Sequence, residues 1–146
     1  MSLPLYLVEM KAAHTLLAEY KYEIQPVERG YANRTLHIDL GTNEIGEKPV
    51  TQQMKDLFTG GRGFGLKLLW DAVTPDTRWD DPENALVIAN GPICGTTAYA
   101  GSGKATVVTL SPLTLNVVDS NVGGYFAPFL KFSGFDAMEI SGKAEE

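Results

Sequence analysis

Alternation of apolar and polar residues predicts a β-hairpin near the start of the folded part of the chain. In residues 34–40, Leu36 and Ile38 point to one side, whereas His37 points to the polar side and is expected to be exposed. Turn residues at 41–43 follow, and residues 44–50 are expected to form the returning strand. The hairpin is the clearest period-two pattern in the sequence.

Apolar and β-branched runs predict four further strands. Residues 85–89 are continuously apolar and are expected to form a buried strand. Residues 105–110 and 115–119 are rich in β-branched side chains and flank a Ser111-Pro112 turn, and residues 135–141 form the last predicted strand. Between the first two of these strands, residues 90–104 have no periodic pattern and predict a long functional loop.

Helical spacing and capping residues predict the helices. Thr51 is expected to cap a helix that runs through Phe58 and ends at Gly60 or Gly61 in a left-handed conformation. Residues 64–72 predict a second helix, with apolar residues at helical spacing. Together with the strands, these helices predict an α+β fold of mixed, short-stranded sheets and a few helices.

The first 30 residues are predicted to be an N-terminal extension to a domain that spans residues 31–146. Residues 5–20 favour an amphipathic helix that could dock on a partner. Residues 21–30 favour a linker, although a strand in this segment fits the sequence equally well.

Composition excludes several classes of function. The formal net charge of −6 leaves no basic stripe for nucleic acid or for an anionic membrane surface. Cys94 is the single cysteine, so neither an internal disulfide nor a thiolate cluster is possible, and a small core residue is expected there. No apolar run is long enough to span a bilayer and no basic leader precedes one, so a soluble, cytoplasmic protein is predicted.

Fifteen glycines, most of them between Gly60 and Gly142, indicate close approach of the backbone to a ligand or to a neighbouring element. The stretch Ala98-Tyr-Ala-Gly-Ser-Gly-Lys104 is not a nucleotide-binding P-loop. Ala98 takes the place of a required glycine, and Ala105 takes the place of the hydroxyl residue that binds magnesium. The residues that follow also predict a strand where a P-loop leads into a helix.

A better phosphate site is predicted at Asn121-Val122-Gly123-Gly124. An asparagine at the N-cap and two glycines would leave the first N–H groups of a helix through Phe132 open to an anion. A plain capped helix is the alternative. Arg62 and Lys104, each in a glycine-rich stretch, suit an anion, or are solvated surface charges.

No set of side chains suggests general acid–base or nucleophilic catalysis. Asp80, Asp81 and Glu83 fit a solvated loop, and Cys94 has no evident histidine partner. No catalytic residue is therefore predicted, and the chemistry of this chain is expected to be binding.

The order of these motifs resembles the N-terminal domain of the tungsten-dependent aldehyde:ferredoxin oxidoreductases. The resemblance covers the chain from about Tyr31 onward. Segments that carry it include Gly60-Gly-Arg-Gly-Phe-Gly65, Gly91-Pro-Ile-Cys-Gly-Thr96, Ser111-Pro-Leu-Thr114, Gly123-Gly-Tyr-Phe126 and Leu130-Lys-Phe-Ser-Gly-Phe-Asp136.

The resemblance implies a tungsten (or molybdenum) bis-pyranopterin cofactor that lies on this domain. The position of Asn121 would help to hold a magnesium ion that bridges the two pterin phosphates, and Gly123 would contact a phosphate. The family usually has arginine where this chain has Lys104, which implies a weaker contact. The residues assigned to the cofactor are Arg62, Gly63, Lys104, Asn121, Val122, Gly123 and Gly124.

The resemblance also implies partners. The sequence ends before the family's second pterin-binding stretch, its [4Fe–4S] cysteines and its acid–base residues. We therefore expect a small subunit of a split oxidoreductase, with a larger chain that carries the cluster and a ferredoxin-like electron acceptor. The alternatives are a non-catalytic pterin-binding module that pairs with a second copy of itself, and an inactive truncated fragment.

Overall fold

The computed structural model describes residues 4–144, which contain one mixed β-sheet and four helices. The sheet has the strand order β2-β1-β6-β3-β4-β5, with β1 and β6 parallel and the other neighbours antiparallel. This confirms the predicted α+β class. The elements, in chain order, are α1 (Leu5–Ala12), β1 (Arg34–Asp39), β2 (Glu44–Pro49), α2 (Gln52–Phe58), α3 (Arg62–Ala72), β3 (Leu86–Asn90), β4 (Ala105–Leu110), β5 (Val117–Val122), α4 (Phe126–Phe132) and β6 (Ala137–Ser141).

The main core lies between α3 and one face of the sheet. Phe64 and Leu69 of the helix are almost fully buried against Val87 and Val108 of the neighbouring antiparallel strands β3 and β4. The helix lies unusually close to β4, since a Cβ atom placed on Gly65 would come within 2.5 Å of Cγ2 of Val108. Glycine at position 65 therefore sets the distance between α3 and the sheet.

A smaller cluster lies on the opposite face, beneath α4. It contains Cys94, Ala105 and Ala127, with Ile88 packed beside them. Cys94 is buried, which confirms the predicted core role, and burial raises the pKa of its thiol. A buried thiol with a raised pKa is a poor nucleophile.

The predicted cap at Thr51 is confirmed, because its side chain accepts a hydrogen bond from the Met54 N–H at 3.1 Å. The predicted end of this helix is corrected. Thr59 takes the C-cap position with a φ of +60°, whereas Gly61 is the N-cap residue of α3. Because Gly61 already begins the next helix, α3 starts at Arg62, two residues before the predicted start.

The N-terminal helix is shorter than predicted, ending at Ala12 where the pattern suggested Tyr20. All eight of its residues are exposed, so no packing supports a longer helix, and short isolated helices are marginal in water. The following segment contains no strand among residues 13–33, apart from an isolated bridge between Glu28 and Tyr31. Tyr22 is fixed by an aromatic contact with Phe135, whose ring centroid lies 4.9 Å away.

Candidate functional site

The candidate site is a row of three alternate residues at the edge of the sheet, two of them on strand β5 and the third just after its end. Asp119 and Asn121 lie opposite Val108 and Thr106 of β4, and Gly123 follows two residues later. Alternate residues of a strand share a face, and Val108 packs on Gly65 of α3. Asp119, Asn121 and Gly123 therefore lie on the helix-covered face of the sheet, and we call them the β5 row.

The glycine-rich loops that contain Gly103 and Gly124 meet at the Gly123 end of the β5 row. A Cβ atom placed on Gly103 would lie 2.8 Å from the carbonyl oxygen of Gly124, and Gly124 has a φ of +109°. A Cβ atom on Gly123 would lie 3.5 Å from Nζ of Lys104, so the ammonium lies directly over the bare backbone of this glycine. This arrangement leaves a cation beside open backbone, which suits an anionic group.

Arg62 lies at the opposite end of the β5 row, beside Asp119. It is the first residue of α3, and its Nε and Nη2 atoms are each 2.8 Å from Oδ2 of Asp119. The side chains are 59% and 31% exposed, so both remain accessible to a ligand. With about 3.4 Å of strand per residue, Asp119 and Gly123 are roughly 14 Å apart, and Asn121 lies between the Arg62–Asp119 ion pair and Lys104.

Asn121 is not a helix cap, and the prediction of an N-cap at this residue is wrong. It belongs to β5, and the helix that follows begins only at Phe126, after Tyr125, which makes no side-chain capping bond. Antiparallel pairing with β4 continues as far as the Val122–Ala105 pair, so the strand extends beyond its predicted end at Asp119. Tertiary pairing overrides the local capping pattern here.

The side chain of Asn121 remains suited to a cation ligand. Its Oδ1 accepts only a long hydrogen bond from the Thr106 hydroxyl, at 3.4 Å, and the residue is exposed. Among residues 4–144, no group of three His, Cys, Asp or Glu side chains could hold a metal. A magnesium ion at Asn121 would therefore take most of its oxygen ligands from phosphate and water, as magnesium commonly does.

Two of the predicted residues do not present a side chain to the row. Val122 points to the opposite face of β5, because neighbouring residues of a strand alternate. Gly63 faces α2, where an added Cβ would lie 2.6 Å from Cβ of Phe58. Gly63 is thus required for helix packing, and any contact it makes with a cofactor would be through its backbone.

Sequence reasoning missed a buried ion pair between Lys131 and Asp136. Their side chains are 4% and 1% exposed, and the Lys131 ammonium also donates to the Gly30 carbonyl at 2.7 Å. Asp136 accepts hydrogen bonds from the N–H groups of Ala32 and Asn33, at 3.0 and 2.7 Å. The pair holds the backbone just before β1 in place, through hydrogen bonds between residues about 100 positions apart in the sequence. No local sequence pattern indicates a contact at such a separation.

The expectation that His37 is simply exposed is also corrected. Its ring is half-buried, with Nδ1 3.7 Å from Oε2 of Glu139, a buried carboxylate that accepts two hydrogen bonds from Lys48 at 2.8 and 2.9 Å. The parallel pairing of β1 with β6 places His37 directly opposite Glu139. This pairing could not be predicted from the alternation of β1 alone.

The helices within residues 4–144 are all too short or too polar to cross a membrane.

A sequence model of the family described as "Aldehyde ferredoxin oxidoreductase, N-terminal domain" matches residues 35–146. Similar curated proteins include the tungsten-containing aldehyde ferredoxin oxidoreductase of Pyrococcus furiosus, which is 39% identical over 117 residues. A more distant one is the WOR-like subunit of an aliphatic sulfonate oxidoreductase from the same organism, 32% identical over 118 residues. The matches cover 80% and 79% of this chain but 19% and 18% of those proteins.

A solved structure with a similar fold is the active-site complex BamBC of benzoyl coenzyme A reductase, in complex with 1,5-dienoyl-CoA. The TM-score is 0.76 at 35% sequence identity, over 80% of this chain and 18% of that one. The present chain thus spans about a fifth of the length of the relatives that it matches.

Proposed function

Since the chain belongs to the aldehyde ferredoxin oxidoreductase family, through its N-terminal domain, we propose that it holds the phosphate ends of a tungsten (or molybdenum) pterin cofactor. In this proposal a larger chain supplies the [4Fe–4S] cluster and the catalytic residues. The complete enzyme oxidises an aldehyde to a carboxylate and passes electrons to a ferredoxin-like acceptor. The chain has no catalytic residue of its own and acts inside the cell.

The observation that carries this proposal is the β5 row. Lys104 places positive charge at one end of the row, the Arg62–Asp119 ion pair lies at the other end, and Asn121 lies between them. Cationic side chains would suit the phosphate groups of the cofactor, and a neutral oxygen ligand would suit a magnesium ion held with them. The backbone of Gly124, where an added Cβ atom would meet nothing within 4 Å, leaves room for a phosphate oxygen to approach.

In this role, the residues of the chain bind and orient, and the bound cofactor supplies the redox chemistry. Lys104 neutralises one phosphate as a point charge, without the paired hydrogen bonds that an arginine would make. Asn121 supplies one oxygen ligand to magnesium. Gly123 and Gly124 contribute backbone groups.

The partner part of the proposal agrees with the coverage of the relatives. The match with the curated relatives covers about a fifth of their length, and the larger chain of this proposal would correspond to the rest. Helix α1, whose eight residues are all exposed, lies outside the family match and is available as a docking element.

Purification from the native host tests the proposal directly. We expect the tagged chain to bring down a larger protein, with tungsten or molybdenum and iron in stoichiometric amounts by elemental analysis. Mass spectrometry should identify the partner. Recovery of the chain alone, without metal, would contradict the subunit assignment.

Asn121→Ala tests the magnesium ligand within the same complex. We expect magnesium and pterin content to fall while the larger chain still co-purifies, because the side chain is exposed and contributes little to folding. Asn116→Ala, in the exposed turn before β5, is the matched control and should retain full cofactor content. Unchanged magnesium in Asn121→Ala would exclude this residue as a ligand.

A second candidate function, a self-associating pterin-binding module, is favoured by exposed apolar residues near the row. Tyr125 and Phe129 on or beside α4 are 80% and 62% exposed, and all six residues of β5 are exposed. The same surface also fits a truncated fragment with no function of its own. Light scattering separates these cases, since a defined homodimer supports the module, whereas polydisperse aggregates support the fragment.

A further inference from the structure

We propose that Asp119 is an internal counter-ion that holds Arg62 until a cofactor phosphate replaces it. The inference rests on the proposed function, because it assumes that the β5 row receives phosphate. It adds a residue that is not among those assigned to the cofactor, and it gives that residue a role in the strength of anion binding.

The geometry of the pair is the first argument. Arginine binds phosphate best through two N–H groups on one edge of the guanidinium, and one such edge is formed by Nε and Nη2. In this chain Nε already donates to Oδ2 of Asp119 at 2.8 Å, and Nη2 lies at the same distance from that oxygen within the ion pair. A phosphate that uses this edge must therefore displace the carboxylate.

The position of Asp119 is the second argument. Strand alternation places it on the same face as Asn121, two residues away, and α3 places Arg62 above it. The Asp119 carboxylate thus occupies one end of the β5 row, the surface on which an anion is expected to bind. Its negative charge both neutralises Arg62 and repels an approaching phosphate.

The exposure of the pair is the third argument, because replacing the Asp119 carboxylate by a phosphate then costs little free energy. The side chains of Arg62 and Asp119 are 59% and 31% exposed, and ion pairs of this kind contribute little to stability. After displacement, the Asp119 carboxylate can be hydrated in place. The guanidinium remains paired with an anion throughout.

The test uses inorganic pyrophosphate as the probe and isothermal titration calorimetry of the full chain at low ionic strength. We expect Asp119→Asn to bind pyrophosphate up to about fivefold more tightly than wild type, since the phosphate no longer displaces a carboxylate. In an Arg62→Ala background, Asp119→Asn should give a clearly smaller gain, because only the direct repulsion between the carboxylate and the phosphate is then removed. This dependence on Arg62 distinguishes an exchanged counter-ion from a general change in net charge.

Asp71→Asn is the matched control. It removes the same charge from an exposed ion pair on the same helix, with Lys67, and should leave pyrophosphate binding unchanged. If Asp119→Asn binds no more tightly than wild type, or if Asp71→Asn gains as much, the inference is wrong.

Lys104→Ala separates this failure from failure of the proposed function. If Lys104→Ala weakens pyrophosphate binding while Asp119→Asn leaves it unchanged, the phosphate surface stands and only the counter-ion role is refuted. If wild type and Lys104→Ala bind pyrophosphate equally poorly, the β5 row is not a phosphate surface, and both proposals are refuted.

Discussion

The buried pair Lys131–Asp136 and the exposed pair Arg62–Asp119 join the same kinds of charge in opposite surroundings. The first is 4% and 1% exposed, and its carboxylate also accepts two backbone N–H groups. The second is 59% and 31% exposed, and its carboxylate makes contact with the guanidinium alone among the residues described. Water can replace either partner of the exposed pair but neither partner of the buried one.

This difference in burial assigns a structural role to the first pair and suits the second pair to ligand binding. Removing one partner of a buried pair strands an unpaired charge, so Lys131 and Asp136 are expected to be fixed in every functional state. An exposed pair is weak in water and can exchange one partner for a ligand. Arg62, the cation that can exchange its partner for a ligand, therefore lies at the surface, beside the edge strand β5.

The largest effect is expected from Lys131→Met, which keeps most of the side-chain volume and removes the ammonium. It should lower the free energy of unfolding by about 3–5 kcal/mol, because the Asp136 carboxylate stays buried without its cation. Urea denaturation followed by tryptophan fluorescence measures the change. The double variant Lys131→Met/Asp136→Asn should recover part of the loss, and a single variant as stable as wild type would show that the pair is not buried in solution.

An intermediate effect is expected at Glu139, where only one partner is buried. Its side chain is 3% exposed, whereas Lys48 is 44% exposed and can reach water. Glu139→Gln should cost about 1–2 kcal/mol, since charge-assisted hydrogen bonds are replaced by weaker ones while no charge is left buried. The same urea titration tests this, and a loss as large as that of Lys131→Met would contradict the ranking by burial.

A smaller effect on stability is expected from Arg62→Ala, at most about 1 kcal/mol, because the pair is exposed. Its effect should appear in anion binding instead, as weaker affinity for pyrophosphate. Thermal unfolding and calorimetry on the same preparation give both values. A strongly destabilised Arg62→Ala would mean that the exposed pair is structural after all.

The smallest effect is expected at Asp39, in the β-hairpin turn. Hydrogen bonds from the N–H groups of Thr42 and Gly41 lower the pKa of this carboxyl below its usual value of 3.8. Because the pKa of Asp39 is lower in the folded state, its carboxylate stabilises the fold above pH 3.8. This stabilisation is lost as the pH falls through the pKa of the folded state. The stability difference between wild type and Asp39→Asn should therefore shrink as the pH falls below 3.8, as urea titrations at neutral and at acidic pH would detect.

The local elements of the fold could largely be predicted from the sequence. Alternation predicts β1 and β2 almost to the residue, and Thr51 is a cap because its hydroxyl and the Met54 N–H lie within one turn. These features depend on residues that are neighbours along the chain. Period and capping chemistry are sufficient to find them.

The candidate site was harder to predict, because its geometry depends on strand pairing. Asn121 before two glycines has the pattern of a helix cap, yet pairing with β4 keeps it in a strand. Asp119 was the end of a predicted strand, and its contact with Arg62, 57 residues earlier, has no local signal. The prediction that Asn121 and Lys104 contact the cofactor does not depend on the cap and remains to be tested.

The position of β6 has a consequence for synthesis on the ribosome. This strand pairs with β1 on one side and with β3 on the other, although it is the last of the six to be translated. Until residues 137–141 leave the exit tunnel, β1–β2 and β3–β4–β5 can pair only as two separate ladders, because β6 is the strand that joins them. The edges of such nascent ladders invite pairing with other chains, so sheet completion has to wait for the final strand and is a step at which a chaperone would act.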